Sequence, residues 1–163
     1  MITDQLLRLS EDQAVTASAY STNTIDLGQV DTVGDATIGA VETYTRTRDI
    51  GEGRELYMVF TVTETFATLT SLAFEIVQSA NANLSSHTTL ASTGAIATPA
   101  TNLAAGKQFV LKIPPQIASQ GARYLGARYT VAGSNATAGK VTADIVLDIQ
   151  DGKKFYDSGF TVA

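Results

Sequence analysis

The single histidine of this 163-residue chain, His87, lies between Ser86 and Thr88, and a Ser–His neighbour pair is the first place to look for a nucleophile and its base. Adjacent residues of a strand point to opposite faces, so these neighbours cannot meet as such a pair. Nor does the chain carry a G-x-S-x-G elbow. Asp144 and Asp148 share one face of their run, but at about 3.3 Å per residue they stand roughly 13 Å apart. That exceeds the spacing of a glycosidase carboxylate pair, and a water-exposed sheet face accounts for them better. Asp148, Asp151 and Gly152 in the run DIQDG lack the alternating carboxylates and terminal Glu of a calcium loop and read as a strand end followed by an Asp-Gly turn. With no Cys and one His, thiolate zinc sites, iron–sulfur clusters, cysteine nucleophiles and multi-histidine centres are excluded. Phosphate-loop and dinucleotide fingerprints are also absent. The expectation is a protein that is not an enzyme and takes no metal or cofactor.

The elements that would position any of these side chains are strands. Glu55 to Phe66 places Leu56, Met58, Phe60 and Val62 on one face and Tyr57, Val59, Thr61 and Thr63 on the other, which predicts a strand covered on both sides or nearly so. Thr70 to Ser79 repeats the pattern, with Leu72, Phe74 and Ile76 inward and Glu75 outward. These two runs can pair through a short turn at Ala67 and Thr68. Lys107 to Ile113 turns Phe109, Leu111 and Ile113 inward, and Pro114 and Pro115 end it because neither can donate to a ladder. Arg123 to Val131 sets Leu125, Ala127, Tyr129 and Val131 against Tyr124, Arg128 and Thr130. Gly139 to Gln150 alternates most clearly, with Val141, Ala143, Ile145, Leu147 and Ile149 inward. Thr24 to Gly28 and Ser86 to Ser92 are weaker strands, while Leu6, Leu7 and Leu9 form a short helical turn or an extended arm. About eight antiparallel strands at these spacings predict an all-β, jelly-roll-type sandwich, preceded by an N-terminal arm over residues 1–22, with the sandwich domain over residues 23–163.

Composition agrees with sheets that approach closely. The chain has 23 Thr and 23 Ala with 13 Gly, and only 17% of its residues are charged. Thr suits a pleated surface, Ala and Gly allow close approach, and so few charges imply a surface that a partner covers in part. The net charge of −5 argues against binding to nucleic-acid phosphates. It is unevenly spread: residues 1–55 hold ten acids against four bases, and Glu75 is the only charged side chain from Thr65 to Gly106. The opening MITDQLLRL carries Asp4 and Arg8 where a signal peptide would be apolar, and no run approaches a membrane span, so synthesis in a cytoplasm without membrane attachment is expected.

The two ends of the chain resemble a known family. Asp4, Leu7, Leu9, Ser10, Gln13, Ala14, Val15 and Thr16, followed by Ser21 to Gly28 (STNTIDLG), are similar to the N-terminus of tailed-phage capsid cement proteins. Arg123-Tyr124-Leu125-Gly126 with Tyr129, the strand from Gly139, and Tyr156-Asp157-Ser158-Gly159-Phe160 resemble that family's second half. The resemblance implies a jelly-roll subunit on the outside of an icosahedral head. There it bridges neighbouring major capsid proteins and associates with itself, as a dimer or trimer, at symmetry axes. By that analogy the contact surface is the front arm (Leu6, Leu7, Arg8, Leu9) and the tail (Phe155, Tyr156, Phe160), where apolar runs at chain ends are covered by a neighbour; the alternative is that both ends pack on their own domain. Asp31, Asp35, Glu42 and Glu52 are second candidates, facing a basic capsid patch. A carbohydrate-binding jelly roll of a virion surface or fibre is the competing reading, which scattered Tyr residues and the lack of Trp weaken.

Overall fold

The computed structural model describes residues 4–27, 31–33, 44–46, 55–98, 101–114 and 122–147. Alternating apolar residues generate strands throughout. In chain order these are β1 (Arg8–Ala14), β2 (Ala19–Tyr20), β3 (Ile25–Asp26), β4 (Asp31–Val33), β5 (Tyr44–Arg46), β6 (Tyr57–Ala67), β7 (Ser71–Ser79), β8 (Thr88–Ser92), β9 (Ile96–Ala97), β10 (Gln108–Lys112), β11 (Tyr124–Ala132) and β12 (Ala138–Val146). One sheet has the order β1-β12-β6-β10 and the other β2-β11-β7-β8, with β3 also against β11 and β9 also against β7; β4 and β5 form a separate two-stranded ribbon. The eight strands of the two main paths, counted one to eight along the chain, run 1-8-3-6 in one sheet and 2-7-4-5 in the other. This is the jelly-roll order, in which the chain crosses between sheets at nearly every connection. All pairings among the described strands are antiparallel.

The core lies between the sheets and is filled by the inward positions read from the sequence. Met58, Phe60 and Val62 of β6, Leu72, Phe74 and Ile76 of β7, Leu125, Ala127 and Tyr129 of β11, and Val141, Ala143 and Ile145 of β12 are all buried. At its centre Phe74 packs on Phe60 with ring centroids 5.0 Å apart, stacks on Phe109 at 5.0 Å, and takes the edge of Tyr129 at 6.1 Å. Four strands from both sheets therefore meet on one side chain. On the opposite face of β6 Val59 is buried as well, but Tyr57 and Thr61 are half-buried and Thr63 is exposed, so that face is covered only in part.

The structure corrects three expectations. First, β6 and β7 do not pair; they lie in opposite sheets, joined by Thr68 to Thr70 across the edge of the sandwich. Their apolar faces are directed at each other through Phe60 and Phe74, which hydrogen-bonded neighbours in one sheet could not achieve. Second, β12 ends at Val146, and Leu147 is 59% exposed, not inward; Asp148, Ile149, Asp151 and Gly152 lie outside the described residues. Third, Asp144 is only 6% exposed on what was expected to be a wet face, because β1 lies beside it and supplies a cation.

Two glycines mark where backbones close on side chains. A Cβ on Gly126 would sit 2.4 Å from Leu84 Cδ1, a buried side chain laid across β11 by the connection between β7 and β8. Gly139, at φ +137, would carry its Cβ 2.2 Å from the Phe66 ring. Gly139→Ala is therefore expected to cost about 2–3 kcal/mol through overpacking and backbone strain, read as a lowered urea midpoint. A loss below about 0.5 kcal/mol would show that Phe66 yields freely.

Candidate functional site

The N-terminal edge of the sandwich is where sequence reasoning put its first contact residues. Asp4 begins it: Leu6 N–H donates to Asp4 Oδ1 at 2.9 Å and Leu7 N–H to the Asp4 carbonyl at 3.0 Å, capping a single 3-10 turn over Gln5–Leu7. The turn leaves Leu6 84% exposed and Leu7 half-buried against the core. At Arg8 the chain becomes β1 and joins β12, with Arg8 opposite Asp144. Arg8 Nε donates to Asp144 Oδ1 at 3.0 Å and its NH1 to Glu11 Oε1 at 2.8 Å. The Asp144 carboxylate, by that hydrogen bond and by its charge, raises the guanidinium above its ordinary range. Leu9 is wholly buried. From Arg8 onward the segment expected as a free arm is thus an integral strand. Of the four front residues, Leu6 remains open to a partner and Leu7 in part, while Arg8 is occupied by two carboxylates and Leu9 by the core.

What locks this edge is polar. Ser10 Oγ and the Tyr129 hydroxyl lie 2.7 Å apart, joining β1 of one sheet to β11 of the other, and Ser10 donates to Gln13 Oε1 at 2.7 Å. Gln13 in turn donates to the Tyr20 carbonyl at 2.7 Å and accepts from Thr22 N–H and Thr22 Oγ1 at 3.0 Å. Its buried members, Ser10 and Tyr129, are partnered, as buried polar groups require, and the network runs outward through half-buried Gln13 to exposed Thr22. Burial pushes the Tyr129 hydroxyl above its ordinary value of 10.0, and the charge of Asp144 acts in the same direction against the lowering effect of the Ser10 bond. The folded protein consequently holds this proton more tightly than the unfolded chain does. The associated stability is complete below about pH 10 and is lost as pH rises further. Tyr129→Phe is expected to cost about 0.5–1.5 kcal/mol at neutral pH and to remove that part of the alkaline loss, checked by urea unfolding between neutral pH and pH 11; an unchanged alkaline slope would reject the assignment.

The outer face of the second sheet carries the remaining chemistry. His87 Nδ1 lies 2.8 Å from the Tyr20 hydroxyl and its Nε2 accepts from Arg128 NH1 at 3.3 Å, while Glu75 Oε2 accepts from Arg128 NH1 at 3.2 Å and from Thr130 Oγ1 at 2.9 Å. Arginine can only donate, so Nε2 of His87 is the acceptor in its contact with Arg128. Both ring nitrogens of the one histidine thus have structural partners, and Ser86 is not among them.

The acidic front segment is partly consumed by its own fold. Asp26 takes Arg123 through both carboxylate oxygens at 2.7 and 2.6 Å. Glu55 pairs with Lys112, and that hydrogen bond, followed by the one from Tyr57, holds its carboxyl below the ordinary range. Asp31 begins β4, opposite Arg46 of β5. Asp35, Glu42 and Glu52, and Phe155, Tyr156 and Phe160 of the tail, lie outside the described residues. Ser10 and Gln13, singled out in the sequence only as part of the N-terminal family pattern, are the residues that fasten this edge; alternation did not mark that role, because both are polar and the β1–β12 register shifts on either side of Ser10.

The Bbp16 family model matches residues 9–145, a span that runs from the buried Leu9 of β1 to Ile145 of β12 and so takes in both sheets. The chain matches no curated protein.

Proposed function

The chain belongs to the Bbp16 family, a phage-related protein family, and from that premise we propose that it is a structural virion protein: a capsid cement protein that binds the outside of an icosahedral head, bridges neighbouring major capsid proteins and associates with itself. It is made in the host cytoplasm and resides on the capsid exterior, and it needs neither catalysis nor a cofactor. The observation that carries this reading is the family match across the whole sandwich. A jelly roll with its N-terminal edge fastened by the buried Ser10–Tyr129 hydrogen bond supports it, because a clamp loses less entropy on docking when its contact residues are already placed. Many copies, each adding modest binding energy, multiply the effect on a shell.

Leu6 is the described residue best placed to meet the head, since the capped turn holds it away from the core. Purified protein should co-sediment with heads that lack it and raise their resistance to heat. Leu6→Asp should weaken that binding at least tenfold while leaving the folded protein's stability within about 0.5 kcal/mol of the parent. Absence of co-sedimentation with expanded heads, together with hits on a glycan array, would replace this reading by the carbohydrate-binding one.

A further inference from the structure

The two long sides of the sandwich are finished differently. On the β1/β2 side, Leu9 and Val15 are fully buried and the Ser10–Tyr129 bond joins the sheets. On the opposite side, where β10 and β8 end their sheets among the described residues, the apolar side chains packed on the core, Leu90, Phe109 and Leu111, are only half-buried. Val110, on the outer face of β10, is 37% exposed.

The backbone parity of β10 says what can close this side. Ile113 N–H donates to the Leu56 carbonyl and Val62 N–H to the Lys107 carbonyl, so in the β10–β6 register the odd residues face β6 with their polar groups. Hydrogen-bonded and non-hydrogen-bonded pairs alternate in an antiparallel ladder. The N–H and C=O groups of Gln108, Val110 and Lys112 therefore point off the sheet edge. We propose that this edge binds the same edge of a second copy of the chain, β10 against β10 in antiparallel register about a two-fold axis at Val110.

In that register Val110 meets Val110 of the copy, and Gln108 meets Lys112, so each outward backbone group faces a complementary one and six ladder hydrogen bonds form. No like charges oppose each other. A lysine on an edge strand ordinarily discourages pairing, but Lys112 is drawn toward β6 by Glu55, which itself accepts from Tyr57. The second copy extends each four-stranded sheet into a continuous one and covers Val110 together with the half-buried ring of Phe109. This interface deepens the self-association in the cement reading by naming the partner surface. It also chooses a dimer over a trimer, because a two-fold contact between identical strands closes with two chains.

The chain has no cysteine, which makes introduced ones unambiguous reporters. Sedimentation of the full chain should give the mass of two 17.1 kDa subunits; a monomer or a trimer overturns the proposal. Val110→Lys, which sets two ammonium groups against each other at an exposed position, should give a folded monomer, and a persistent dimer overturns it. Paired Val110→Cys residues stand about 5.5 Å apart between Cα atoms, within disulfide range, and mild oxidation should link them. Gln108→Cys residues stand roughly 13 Å apart along the strands and should stay unlinked. Equal linking of both variants, or none of Val110→Cys, overturns the register and needs no folded Val110→Lys. A monomeric Val110→Lys that still binds heads leaves the cement reading standing, whereas a dimer that ignores heads leaves the interface standing without it.

Discussion

Phe74→Ala should lower the stability of the folded chain by about 3–5 kcal/mol, with the thermal midpoint falling by roughly 10 °C for a domain of this size. Phe74 is fully buried and is the one ring that touches Phe60 of β6, Phe109 of β10 and Tyr129 of β11. Truncation removes apolar area and leaves a cavity whose walls belong to four strands in two sheets, so no single element can move to fill it. The aromatic contacts add their own loss of about 0.5–1.5 kcal/mol for each favourable pair, part of which the cavity figure already contains. Urea unfolding monitored by tyrosine fluorescence and by far-ultraviolet dichroism would measure it. Coincident transitions with an unchanged m-value would place the loss in the native core. A cost below about 1 kcal/mol would mean that the sheets collapse onto the space, and the close packing described at the centre would be wrong.

Removing residues 1–12 should damage the fold, and by a comparable amount. It deletes most of β1 and with it the burial of Leu9, worth about 1.5–3 kcal/mol for a fully buried leucine. It also strips Ser10 from the buried Tyr129 hydroxyl, whose unsatisfied state costs about 1–3 kcal/mol, and takes Arg8 from the nearly buried Asp144. The expected total is about 3–6 kcal/mol, again read from urea unfolding. This outcome changes how an N-terminal contact can be tested: a truncated protein that fails to bind heads would report a broken sandwich, whereas Leu6→Asp alters only the exposed turn. If the truncation left stability within about 1 kcal/mol of the parent, β1 would be dispensable and the segment would act as an arm after all.

The strands β6, β7, β10, β11 and β12 were legible within a few residues because each carries its apolar side chains at period two and turns them to one core. β1 was not legible. Its inward Ser10 is polar because it meets Tyr129, and its pairing with β12 shifts register between Arg8 and Ser10 and again between Ser10 and Gln13, so alternation fails where the strand is fastened. The two-residue strands β2, β3 and β9 are too short for any period to show. At the candidate site, Leu6 was singled out together with Leu9, and nothing local separates the two, three residues apart. One is exposed and the other buried because the Asp4-capped turn ends between them.

From residue order alone came which side chains of β6, β7, β11 and most of β12 face inward, that the domain is all-β, and the jelly-roll expectation, since these follow from alternation, turn chemistry and the many β-branched threonines. Tertiary structure decided which strands are neighbours. Alternation marks an apolar face without saying which sheet receives it, and β6 and β7 went to opposite sheets for that reason. It also decided that Asp144 is covered, that one side of the sandwich is bonded shut and that β10 ends its sheet among the described residues. These outcomes rest on contacts such as Ser10 with Tyr129, 119 residues apart, and Arg8 with Asp144, 136 apart, and at such separations local pattern carries no information about the partner.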